Sequence, residues 1–249
     1  MQTNIPSASS VLLSLLRADF ITQWRNRRAV MMSFIIPMTI LLSWKALVEK
    51  FGGPFVLSNS LTLGLTTIGM MGYSNSIARD RDKGIFQRLR VAPLSTWAIM
   101  VSRLAVQSVI ITAMIIIVFV SGFYFDKIEL KPLGYLLGFF TAFMGGTVFL
   151  SLGQAIVGLI KNAETVSSTS RLVYTAFILV GMLGELNVFP AYLNQMIKWS
   201  PYGTVVHILG SGMQPVNWNQ QSSLALLATM GYAVIFTTGG IKWFSWDSR

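Results

Sequence analysis

Residues 79–95 hold the side chains best placed to do something chemical. They read Arg-Asp-Arg-Asp-Lys-Gly-Ile-Phe-Gln-Arg-Leu-Arg-Val-Ala-Pro-Leu-Ser. On a helical wheel Ala78, Ile85, Phe86 and Leu89 share one face, with Asp82 intruding, while Arg79, Lys83, Gln87 and Arg90 lie elsewhere. The chemistry open to such a stretch is recognition: Ile85, Phe86 and Leu89 form a small apolar knob ringed by the basic Lys83, Arg88 and Arg90, with the acidic Asp82 on its edge. Gly84 weakens a helix, and the residue before Pro93 avoids the helical region. The preceding helix is therefore expected to run to about Arg81, and a separate short helix to occupy about 84–91. So short a helix is marginal alone, and a docking surface would stabilise it. The alternative is a loop whose charges only set topology and whose apolar residues dip into lipid.

Little else in the chain is equipped for chemistry. No G-x-x-x-x-G-K-[ST] stretch occurs, so the chain offers no phosphate-cradling loop of that kind. Cysteine is absent, which excludes disulfides and thiolate metal sites. His207 is the single histidine, so a His-rich metal centre is excluded, and an interfacial hydrogen bond suits it better than ligation. No Ser/His/Asp arrangement is suggested. Lys45, Arg103, Arg171 and Glu185 fall near the ends of apolar stretches, where side chains can snorkel. Ion-coupled carriers generally place carboxylates or paired charges within the membrane, so this pattern weakens that class. The expectation is a non-enzyme with no metal and no cofactor of its own.

The elements that position these residues are membrane helices. Of 249 residues, 53% are hydrophobic and 11% charged, against about 25% charged in an average soluble domain; mean hydropathy is +0.61. The composition implies one integral membrane domain spanning 1–249, all-α in class. A spanning helix needs about 20 mostly apolar residues, and six stretches qualify: roughly 29–48, 57–78, 97–122, 133–160, 167–185 and 222–244. The fifth is the weakest and relies on Ser167, Ser168 and Ser170 for length. The net charge of +10 follows the positive-inside rule rather than nucleic-acid binding. With the N-terminus inside, fourteen of the nineteen basic residues are cytoplasmic, as are both termini and the 79–95 loop.

Residues 9–28 precede the first span. Leu12, Leu16, Phe20 and Trp24 recur every fourth residue beside Arg17, Arg25, Arg27 and Arg28, which suits a helix in the membrane interface; an ordinary soluble amphipathic helix is the alternative. Pro37 is expected to kink the first span. In the fourth, Gly134, Gly138, Ala142 and Gly146 stand four apart and let a helix approach closely, within the subunit or in a dimer. Hydroxyl and amide groups on the second span, Asn59, Thr62, Thr66 and Asn75 among them, could line a substrate path or bond to their own helix. Between 186 and 221 the pattern gives two short helices, about 188–212, broken at Trp199-Ser200-Pro201, which dip into the outer leaflet or lie on it.

The N-terminal interfacial helix, the six spans and the loop Asp82-Lys83-Gly84-Ile85-Phe86-Gln87-Arg88-Leu89-Arg90-Val91-Ala92-Pro93 resemble the ABC type-2 permease family, the membrane subunits of ATP-driven exporters. That family usually has a Glu-x-Gly-Thr core and a second acidic residue before the leucine. Here Asp82 and Ile85 replace the Glu and Thr, and Arg88 sits in the acidic region. The resemblance implies that the loop is a coupling helix docking on a separate ATPase, and that the 188–212 pair is re-entrant. It further implies two ATPase copies carrying ATP and Mg, a second permease subunit as homodimer or heterodimer, and a place in the inner (plasma) membrane among its lipids. Cargo is expected to be a drug, antibiotic, peptide or amphipathic lipid-like molecule. The competing reading is an ATP-independent carrier or assembly scaffold, in which the loop is a topology signal only.

Overall fold

The computed structural model describes the backbone of residues 8–87 and 96–244, and side chains from 12 onward, except those of 28–29 and 96–100. Every regular element among these residues is helical. Helix α1 is Ala8–Arg25 and α2 is Arg27–Ser43. A seven-residue helix α3, Lys45–Phe51, follows. Helix α4 is Gly53–Asp82, α6 is Pro132–Leu159 and α7 is Ala163–Glu185; α5 between them is Thr96–Asp126. Two short helices, α8 (Ala191–Lys198) and α9 (Pro201–Met213), lead to α10, Gln220–Lys242.

Among the described residues, five helices are long and apolar enough to cross a membrane: α4, α5 from Val101, α6, α7 and α10. The first expected span is different. Val30–Ser43 and Lys45–Phe51 meet at an angle of 61°. The helix continues through Pro37, and the sharp bend falls at Trp44. Val30–Ser43 alone reaches only about 21 Å at 1.5 Å per residue, short of the roughly 30 Å hydrocarbon core. The span over 29–48 is thus a broken pair rather than one rod. The second span begins at Gly53, four residues before the expected 57, because Pro54 fits the first helical turn. The Ser167–Ser170 turn does belong to α7, whose start is capped by Asn162 accepting from Thr165 N–H at 3.0 Å.

Helix α4 is the core of the bundle. Its apolar window is 89% buried, against 22% for α7 and 17% for α10, so the latter two turn most of their surface outward. Buried hydroxyls on α4 are satisfied by its own carbonyls: Thr62 donates to Ser58, Thr66 to Thr62 and Thr67 to Leu63, at 2.7–2.8 Å. Between Ile68 and Ser74 the helix widens into a π-helical stretch. There it crosses α6 at backbone distance: a Cβ on Gly69 would strike the Phe149 carbonyl, and one on Gly153 the Gly69 carbonyl. Helix α7 holds α4 through hydroxyl contacts, Ser170 to Ser74 at 2.9 Å and Tyr174 to Thr67 at 3.2 Å.

The α6 stripe packs inside the subunit. A Cβ on Gly134 would run into the Met213 carbonyl of α9, one on Gly138 would crowd Met213 and Phe119, and one on Gly146 would crowd Ile111 and Leu65; Ala142 is fully buried. At 13 residues, α9 spans about 20 Å and is too short to cross. It is capped by Ser200 accepting from Gly203 N–H, with Pro201 in the first turn. Its Tyr202 is buried and donates to Asn59 of α4 at 3.3 Å. His207 lies 3.4 Å from Ser222 Oγ in the capping box that starts α10.

Candidate functional site

The site is built where α4 ends. Its last turn carries Arg79, Asp80, Arg81 and Asp82. Lys83 N–H donates to the Arg79 carbonyl and Gly84 N–H to that of Arg81, each at 3.0 Å. Gly84 has φ +66°, a left-handed C-terminal geometry that glycine adopts without a Cβ penalty. A new helical turn then begins at Ile85 and is described as far as Gln87. The helix break therefore sits at Lys83-Gly84, one residue beyond the expected end at Arg81. Arg88, Leu89 and Arg90, and Pro93 beyond them, lie outside the described residues.

Arg81 is the deepest charge at this end, with 1% of its surface exposed. Its Nη1 donates to the Val157 carbonyl at 2.9 Å, and its Nη2 to those of Ile160 and Lys161, both at 2.6 Å. The last carbonyls of a helix have no partner in their own helix, and their dipole end favours a cation. Arg81 thus caps α6 from α4. A planar guanidinium suits this because it can donate in several fixed directions at once.

A second linkage lies beside it. Arg103 of α5 and Asp80 of α4 form an ion pair at 2.7 Å, each side chain 11% exposed. The Arg103 guanidinium also lies over the Phe86 ring, 4.8 Å from its centroid. Phe86 meets Phe244, just past α10, edge-on at 5.9 Å, and Phe244 in turn faces the Arg81 guanidinium at 6.0 Å. Asp19 of α1 accepts from Ser102 Oγ at 2.6 Å, one residue before Arg103. Through these contacts α1, α4, α5, α6 and the end of α10 converge on the residues around Phe86.

Phe86 does not form part of an outward knob with Ile85 and Leu89. It is 3% exposed and points into its own subunit, where the Arg103 guanidinium over its ring and the edge-on Phe244 ring are better partners than solvent would be. Ile85 is half-buried, while Asp82, Lys83 and Gln87 face outward. The outward surface of the described turn is therefore polar, and its apolar anchor is internal. Sequence reasoning placed Arg81 and Arg103 among topology signals and missed their contacts. The alternating Arg-Asp-Arg-Asp at a helix end was the available signal, since such a run puts adjacent charges on different neighbours.

The polar α4 residues are distributed differently from a lined path. Asn59, Thr62 and Thr66 are fully buried. Asn59 Nδ2 donates to the Phe55 carbonyl at 3.0 Å, and Asn75 Nδ2 to that of Met71 at 3.1 Å. Among the described residues no group of three or more His, Asp or Glu is placed to hold a metal ion.

Comparison with known proteins fits this architecture. Residues 10–214 match the family described as ABC-2 type transporter. The chain belongs to that family. The match runs from α1 through α9 and includes the whole segment after α4. Over 222 residues the chain is 23% identical to a Bacillus subtilis (strain 168) protein named "Putative transport permease YvfS", covering 85% of this chain and 88% of that one. Over 144 residues it is 27% identical to an Escherichia coli (strain K12) protein named "Probable multidrug ABC transporter permease YbhR", covering 57% of this chain and 39% of that longer relative. As an ABC-2 family member built from spanning helices, the chain is a multi-pass membrane transport subunit.

Proposed function

We propose that this chain is the permease subunit of an ABC exporter, and that a separate ATPase drives it by gripping the segment from Asp82 to Arg90. The observation that carries the reading is the wedge of Phe86 between Arg103 and Phe244 directly after the Gly84 break. A partner holding the exposed side of this turn would move a residue in contact with α5 and the end of α10, beside the Arg81 cap on α6. With the basic end of the bundle in the cytoplasm, the partner approaches from the side where ATP is available. ATP and Mg belong to that partner, in two copies that close on one another; each pushes one permease subunit of a pair, and the helices shift between packings. The termini are cytoplasmic and the complex sits in the plasma membrane. Nucleic acid plays no part, and the basic residues orient the chain.

Cargo is an amphipathic drug-, antibiotic-, peptide- or lipid-like molecule. The multidrug designation of the Escherichia coli relative supports that class. The test is ATP hydrolysis by the reconstituted complex of this chain and the ATPase that purifies with it, screened against amphipathic compounds. Hydrolysis should rise with a transported compound and should depend on this chain. Hydrolysis that is identical with and without the chain would sink the reading.

A further inference from the structure

We propose that the cavity between α5, α6 and α10 binds a neutral amphiphile whose head presents a hydrogen-bond acceptor. The cavity has a volume of about 270 Å³, near the lower end of small-molecule sites, which run from roughly 300 to 1,000 Å³. It is lined by Ser108 of α5, Thr147 and Gln154 of α6 and Thr237 of α10, with apolar side chains between them. Tyr73, from the π-helical stretch of α4, closes its inner wall.

Three observations define the occupant. None of the lining residues carries a carboxylate, ammonium or guanidinium group; a charged head would be left unpaired at high cost. The hydroxyls of Ser108 and Thr147 already donate to the carbonyls of Leu104 and Met144, at 2.9 and 2.6 Å. Gln154 is the exception. Its Oε1 accepts from Tyr73 Oη at 2.8 Å, while its Nε2 is buried with no hydrogen-bond partner, although the side chain is only 7% exposed. A buried donor left unmade is costly, and a turn of the Gln154 amide toward the cavity that it lines would let an acceptor on a ligand satisfy it. A carbonyl, ester or hydroxyl oxygen on an otherwise apolar body fits both conditions.

Position adds a second constraint. Gln154 is five residues before the end of α6, and Phe143, at the far end of the lining, is sixteen. At 1.5 Å per residue the cavity runs from about 8 Å to about 24 Å from that end of α6, from near the basic end to just past the helix midpoint. It is separate from the buried α4 groups Asn59, Thr62 and Thr66, and its existence does not depend on the ATPase reading. The same chemistry could come from a resident membrane lipid or from cargo taken from the membrane.

The probe is a diacylglycerol carrying a diazirine in one acyl chain, photolysed with the full chain in phosphatidylcholine nanodiscs and mapped by peptide mass spectrometry. Labelling should concentrate on the peptides bearing Ser108, Thr147 and Thr237, and unlabelled diacylglycerol should compete it away. Thr147→Trp with Thr237→Trp, both at exposed positions where a large side chain need not disturb the core, should cut that labelling several-fold and leave other peptides unchanged. Gln154→Leu should weaken competition by about three- to ten-fold, the worth of one neutral hydrogen bond. Repeating the experiment with the ATPase turning over ATP separates the sources: labelling that falls marks cargo, labelling that stays marks a resident lipid, and either supports the site. Labelling spread evenly over outward positions such as Leu136 and Phe140, unaffected by the tryptophan pair, would overturn the proposal. Competition by phosphatidylglycerol equal to that by diacylglycerol would overturn the neutral head.

Discussion

At the scale of single residues, Arg81 and Phe86 do separable jobs. Arg81 bridges α4 to the end of α6 through the Val157, Ile160 and Lys161 carbonyls. Arg81→Met leaves those acceptors buried and unpaired and should lower stability by about 3 kcal/mol, judged by hydrogen bonds to charged groups. Arg81→Lys should recover only part, because an ammonium cannot reproduce the planar fork. Thermal unfolding of the purified protein in nanodiscs checks both, and a Met variant that melts with wild type removes the cap from the account. Phe86→Ala acts differently: the exposed faces of Asp82, Lys83 and Gln87 remain, but the wedge against Arg103 and Phe244 is gone. The complex should keep its ATPase and hydrolyse ATP while export per ATP falls several-fold. Export and hydrolysis measured in the same proteoliposomes decide this, and unchanged coupling would show that force travels by another route.

At the scale of elements, the bundle depends on glycines where helix backbones cross closely and not elsewhere. Gly69 meets the Phe149 backbone of α6, whereas a Cβ on Gly231 of α10 would meet nothing within 4 Å. Gly69→Ala should cost roughly 1–3 kcal/mol by overpacking, while Gly231→Ala should be neutral or stabilising by up to about 1 kcal/mol through helix propensity. Denaturation of the two variants side by side tests the contrast. Much of this element layer was legible beforehand. Long apolar runs, the Gly84 break, the Trp199-Ser200-Pro201 break and the four-residue stripe from Gly134 to Gly146 are local signals, and local signals survive into the fold. The bend at Trp44 was not, since it carries neither glycine nor proline; Pro37, the obvious breaker, lies inside a continuous helix. The facing of Phe86 was also hidden. A helical wheel groups residues on a face, but only tertiary contacts, with Arg103 and Phe244 far along the chain, decide whether that face looks inward. The Tyr73–Gln154 pair, 81 residues apart, is of the same kind.

At the scale of the whole molecule, orientation and partnership follow from where charge gathers. The basic end, with Arg79, Lys83 and Lys161, is opposite the α8–α9 pair. The absence of cysteine makes single labels simple to place. In intact spheroplasts an impermeant maleimide should modify Asn217→Cys, which is exposed beyond α9, and should reach Lys83→Cys only after permeabilisation; the reverse order would invert the topology. Within the ABC-2 family frame, the site after α4 then faces the compartment of the ATPase. The most direct measurement is co-purification of an ATP-hydrolysing subunit with wild type and with Lys83→Glu, at an exposed position, combined with Leu89→Asp. The account predicts that wild type brings the ATPase down and the double variant, still folded by its melting curve, loses it. A folded double variant that retains the ATPase as fully as wild type would contradict the claim that this segment is where the partner takes hold.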